Sequence, residues 1–270
     1  MNLNEMIEAE IENGYGDANA RAKVCQDIIL KAIAAGPFSR NVTIKGGVVM
    51  RSKTGNVRRA TQDLDIDFIR YSLANEVIDA FIRRLNCLKG ITIRRVGNIM
   101  ELKQQDYHGK RAYVEIADEN GNIITSKLDL GVHNHLDIEQ EEYCFDIAFD
   151  EEGASLLINS NEQMFTEKLR SLLRFGAVST RYKDIFDMYY LCHTSDPEKL
   201  KKCFQSYIYD DPQMREKDIQ EIIRRVDMVF HNRNYLRLLR TTDKKWVDDD
   251  LEMVTDSIIA FLGGLEGEAE

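Results

Sequence analysis

The run Thr61-Gln62-Asp63-Leu64-Asp65-Ile66-Asp67-Phe68 alternates acidic and apolar residues. A strand points successive side chains to opposite faces, so Asp63, Asp65 and Asp67 share one face and Leu64, Ile66 and Phe68 the other. The apolar face calls for a sheet with a hydrophobic layer against it. The acidic face is harder to place, because neighbouring like charges repel and resist burial. Two arrangements meet that constraint. Oxygen ligands of this kind suit a hard divalent cation such as Mg²⁺, Mn²⁺ or Ca²⁺. An edge strand with a solvated acidic face also suffices, and the run by itself does not choose.

The flanking sequence adds chemistry. Val42 to Lys45 reads as a strand that ends in Gly46-Gly47, and Val48 to Met50 opens a short helix. Adjacent glycines let a phosphate approach backbone N–H groups at a helix start. Arg51, Lys53, Arg58 and Arg59 follow before the acidic strand. Such cations suit a nucleoside triphosphate, or simply a solvated basic loop. Downstream, Lys127-Leu128-Asp129-Leu130 puts Lys127 and Asp129 on one strand face. Asp129 can complete a two-metal site, whose ions sit about 3.5–4 Å apart, or serve as a base. Glu115 is a weaker candidate for the third carboxylate.

At 270 residues the chain has room for one large domain or two small ones. Strand signals fall at Val42 to Lys45, Leu64 to Ile69, Ile91 to Asp106, Lys110 to Ala117 and Ile123 to Gly131. His108-Gly109 and Asn120-Gly121 serve as turns. Leu73, Val77, Ile78, Phe81, Ile82 and Leu85 repeat at helical spacing, and Ala18 to Ala34 is also helical. After about Ala154 the strand signals fade. Helices are expected at Asn161 to Arg174, Tyr182 to Cys192, Pro197 to Tyr207, Gln213 to Phe230 and Asp248 to Leu262. The expected fold is α+β, with a small mixed-sheet domain carrying N-terminal helices over 1–154 and a helical domain over 155–270.

Composition removes other classes. A 43% hydrophobic content supports a packed core. The net charge of −10 argues against coating nucleic acid by charge alone. Met1 to Asp17 is acidic and lacks the apolar run of a secretory leader, and no window suits a membrane helix. A cytoplasmic location is expected. Cys25, Cys87, Cys144, Cys192 and Cys203 are dispersed, which suits reduced thiols rather than disulfides or a zinc cage. His133 and His135 lie beside the Lys127 to Gly131 strand, as possible ligands or as polar loop residues.

Taken in order, these residues resemble the DNA polymerase β-like nucleotidyltransferases: a Gly-Gly turn, Asp-x-Asp on the next strand and a later carboxylate. The closer resemblance is to the AbiEii/AbiGii-type nucleotidyltransferase toxins of toxin–antitoxin and phage abortive-infection systems. It is carried by Glu167-Lys168-Leu169 and by Arg181-Tyr182-Lys183-Asp184-Ile185-Phe186-Asp187-Met188-Tyr189. The resemblance implies metal-dependent transfer of a nucleotide from an NTP to a hydroxyl acceptor, with RNA such as tRNA foremost. A small molecule or a protein is the alternative acceptor, and a non-catalytic nucleotide-binding module the alternative class. It implies Mg²⁺ or Mn²⁺ on Asp63, Asp65 and Asp129, with Asp67 a neighbour. Gly46, Gly47, Arg59, Lys127 and Lys168 would bind the nucleotide. Asp184 would belong to a helical motif by which the second domain completes the cleft. A cognate antitoxin is the implied protein partner. Val48 departs from the Thr common at that position, and the stretch from Gly47 to Asp63 is longer than usual. Arg224, Arg225, Arg233, Arg237, Arg240, Lys244 and Lys245 offer an RNA-backbone surface, or solvated helix faces.

Overall fold

The computed structural model describes residues 1–102 and 109–265. His108 and the end of the expected Ile91 to Asp106 strand lie outside the described residues. The chain divides into two compact units, Met1–Asn159 and Ser160–Glu270.

The first unit is built on a seven-stranded mixed sheet. Its strands are β1 (Val42–Lys45), β2 (Asp63–Phe68), β3 (Ile91–Leu102), β4 (Gly109–Asp118), β5 (Ile123–Val132), β6 (Glu141–Ile147) and β7 (Asp150–Ile158). The spatial order is β3-β4-β5-β2-β1-β7-β6. The acidic strand β2 is therefore the middle of the sheet, hydrogen-bonded antiparallel to β1 and parallel to β5. The solvated edge strand is excluded. Its face of Leu64, Ile66 and Phe68 is completely buried, and the Phe68 ring meets Phe81 edge-on at 5.2 Å.

Three helices complete the arrangement around β2. The helix α2 (Asp17–Ala35) packs along β5 and β7, and α4 (Asn75–Arg84) packs on β3. Ile78, Phe81 and Ile82 form the buried stripe of α4, as their spacing requires. The helix α3 (Gly46–Thr54) follows β1 directly and ends at Gly55 in the left-handed conformation (φ +60°). A first helix, α1 (Leu3–Glu12), precedes α2. The β6–β7 hairpin carries the sheet past Ala154 to Ile158, beyond where local strand signals fade.

The second unit is helical: α5 (Asn161–Phe175), α6 (Tyr182–Cys192), α7 (Pro197–Phe204), α8 (Ile219–Phe230), α9 (Arg233–Thr241) and α10 (Leu251–Gly264). The α5 N-terminus is capped by Ser160, whose hydroxyl accepts from the Gln163 amide. Asp196 caps α7 ahead of Pro197, the position where a missing N–H is harmless. Phe165, Leu169, Phe186, Ile222, Val226 and Ile258 are fully buried and form the core. The mixed sheet followed by a helical region is the α+β arrangement expected. Among the described residues no helix is long and apolar enough to cross a membrane.

Candidate active site

Sheet register assembles the site. Lys45 of β1 stands opposite Asp65 of β2, which stands opposite Asp129 of β5, which stands opposite Arg111 of β4. Asp63 is level with Lys127. Paired residues share a face, so one face presents Asp63, Asp65, Asp67 and Asp129 together with Lys45, Lys127 and Arg111.

The pairing among these charges is uneven. Lys45 Nζ lies 2.7 Å from Asp67 Oδ2, with both side chains nearly inaccessible. Lys127 Nζ lies 2.5 Å from Asp63 Oδ1. Arg111 grips Asp129 with two parallel bonds of 2.6 Å, the strongest geometry for such a pair. Asp65 has neither an ion pair nor a side-chain hydrogen bond among the described residues. Burial, and after it the charges of Asp129, Asp63 and Asp67, push its carboxyl up to about 7 against the pull of Lys45.

The two glycines have separate reasons. Gly46 is left-handed (φ +68°), and a Cβ there would lie 2.5 Å from Asp65 Oδ2. A Cβ on Gly47 would lie 2.7 Å from the Thr61 side chain. Bare backbone is therefore needed for β2 to come up against the start of α3. Among the described residues no side chain caps that start, so its first N–H groups are available to an anion beside the carboxylates. Behind this, the buried Gln26 amide donates to Thr61 O (2.9 Å) and Asp63 O (3.3 Å). Its own oxygen accepts from Arg51 at 2.5 Å.

The residues suit a divalent cation. The donors are all carboxylate oxygens, Asp65 is unpaired, and Asp67 Oδ1 is buried without a hydrogen-bond partner. Among the described residues, however, no three acidic, His or Cys side chains converge as a ready-made cage. Asp63 and Asp129 are instead turned to cations. The all-oxygen set could hold the ion, but only after those pairs open.

Arg59 is buried in the short 3-10 turn Val57–Arg59. Lys168 and Asp184 belong to the helical unit, where Lys168 Nζ lies 2.8 Å from both Asp184 and Asp187. Asp187 also accepts from the Trp246 indole at 3.0 Å. His133 is buried, with its Nε2 2.8 Å from the Gln140 amide nitrogen. Glu115 pairs with Arg94. Arg111 and Gln26 were not among the sequence candidates. Only the antiparallel register of β4 on β5 reveals Arg111, and no local pattern encodes a register.

The mixed sheet thus brings a Gly-Gly helix start against strand carboxylates, the arrangement expected of a nucleotidyltransferase. The family described as "Nucleotidyl transferase AbiEii toxin, Type IV TA system" matches residues 28–252. The chain belongs to that family, and with it come nucleotidyltransferase activity and NTP- and metal-dependent chemistry. Among solved structures, the chain is similar to an antigenic nucleotidyltransferase-like protein from Paracoccidioides brasiliensis. Identity is 13% over 81% of this chain and 91% of that one, with a TM-score of 0.48. It is also similar to the antibiotic-resistance factor ANT(2'')-Ia, at 16% identity over 69% of this chain and 90% of that one, TM-score 0.42. No curated protein matches.

Proposed function

We propose that this toxin-family enzyme transfers a nucleotide from an NTP to a hydroxyl of RNA, with tRNA the first candidate. The observation that carries the reading is the abutment of Asp65 on Gly46, which puts carboxylates and a phosphate-binding helix start side by side. Asp63, Asp65 and Asp129 would hold Mg²⁺ or Mn²⁺, which when bound supplies charge stabilisation at the α-phosphate and the leaving pyrophosphate. The Gly46 and Gly47 backbone would orient the triphosphate. Lys127 and Arg59 would offset its charge, and Asp129 would receive the acceptor proton. On the family motif we assign Lys168 and Asp184 to nucleotide binding. A cognate antitoxin protein would be the partner of such a toxin.

The test incubates the purified chain with Mg²⁺, each α-phosphate-labelled NTP in turn, and total cellular RNA. Label is expected in the RNA, with unlabelled pyrophosphate released, and the transfer is expected to be lost in Asp65→Ala. Label in the protein itself or in a small-molecule fraction overturns the RNA assignment. Label transfer retained by Asp65→Ala overturns the site.

A further inference from the structure

Of the three ion pairs on the acidic face, the Arg111–Asp129 pair has the geometry of a movable clasp. Lys45 and Asp67 are sealed at 7% and 5% exposure, so their pair is part of the core. Lys127 and Asp63 are loose, at 30% and 36%. Arg111 is different: its side chain is 23% exposed, while the Asp129 it covers is 4% exposed. Both Asp129 oxygens are engaged by the guanidinium. The carboxylate assigned above to a metal ion is thus already held by a group that does not lose its charge. The absence of a ready-made cage among the described residues agrees with this.

We propose that Arg111 is a latch on the metal site. It holds Asp129 while nucleotide is absent, and passes to the triphosphate when the divalent cation arrives as its NTP complex. The proposal rests on the nucleotidyl-transfer reading. The planar fork of arginine fits phosphate as well as carboxylate, and the register Arg111–Asp129–Asp65 keeps it on the face where the triphosphate would lie. The exchange also conserves charge. The ion takes Asp129 and the guanidinium takes a phosphate, so no buried charge is stranded. A bare ion must instead displace the guanidinium with nothing to receive it. Metal and triphosphate should therefore bind cooperatively, each raising the affinity for the other.

The test measures Mn²⁺ retained by the full chain in equilibrium dialysis, supplied alone and as its complex with inorganic tripolyphosphate. Arg111→Met is expected to bind Mn²⁺ alone roughly tenfold more tightly than the wild type, the scale of a lost close charge pair. With tripolyphosphate the order should reverse, the variant binding roughly tenfold more weakly. A merely structural arginine gives no such reversal. Arg111→Lys keeps the charge without the fork and should fall between; it decides the matter if Arg111→Met does not fold. Mn²⁺ binding that is unchanged or weaker without tripolyphosphate overturns the latch. Asp65→Asn separates the two ideas. If it abolishes Mn²⁺ binding while the Arg111 variants behave as wild type, only the latch fails. If it binds Mn²⁺ as the wild type does, the metal site fails and the latch with it.

Discussion

Gly46→Ala tests the claim that this glycine exists to admit the Asp65 carboxylate. Two separable penalties apply. At φ +68° an alanine costs about 1–2 kcal/mol for the left-handed backbone. Its Cβ would also lie 2.5 Å from Asp65 Oδ2, and relieving such overpacking costs a further ~1–3 kcal/mol. The single substitution should therefore destabilise the sheet unit by about 2–5 kcal/mol. In an Asp65→Ala background the offending oxygen is gone, and only the backbone penalty of about 1–2 kcal/mol should remain. The double-mutant cycle should thus show a coupling of ~1–3 kcal/mol. The single tryptophan, Trp246, lies in the helical unit and does not report on the sheet. The assay is therefore hydrogen exchange of the β2 amides in EDTA, which gives the local opening free energy. Additivity within about 0.5 kcal/mol would refute the reasoning, because Gly46 would then answer only to its backbone.

Two further predictions concern stability. Lys168 is 9% exposed and pairs with Asp184 and with the fully buried Asp187. Lys168→Met should destabilise the helical unit by about 3–5 kcal/mol, the scale of a buried pair broken on one side. Trp246 fluorescence, which reads Asp187 through their hydrogen bond, should follow the loss. Adding Asp187→Asn should recover part of it, and no recovery would contradict the pairing. Asp118 accepts hydrogen bonds from the backbone of Leu3, Asn120 and Asn122 and from the Asn122 side chain. Desolvation works to raise its carboxyl, but these donors outweigh it and hold the group at about 2. Its stabilising contribution is full above the unfolded value of about 3.9 and is lost as pH falls toward 2. Asp118→Ala should be less stable than the wild type at neutral pH and show a flatter acid unfolding profile by circular dichroism across that window. A profile identical to the wild type would contradict it.

How far the sequence speaks can be judged from particular segments. The alternation in β2 was legible because one face is apolar without interruption and the other acidic. The α4 stripe was legible for the same reason at helical spacing. The β6–β7 hairpin was not, since β7 joins the sheet by parallel pairing with β1, across more than a hundred residues. Nor was the buried face of α1, where Glu10 reads as a surface carboxylate. Only the fold supplies its partner Lys23, 2.8 Å away. At the site, the carboxylates and glycines could be named from spacing. Their cationic partners could not, because Arg111 meets Asp129 through register. In the helical unit, likewise, only the fold turns Asp187 to Lys168 and Trp246.

The most direct test of the central claim is anomalous scattering from Mn²⁺ in crystals of the full chain grown with a non-hydrolysable NTP analogue. A peak within coordination distance of Asp65 and Asp129, beside the Gly46–Gly47 backbone, is the predicted result. A peak elsewhere on the protein, with the four carboxylates of the central face left bare, would contradict it.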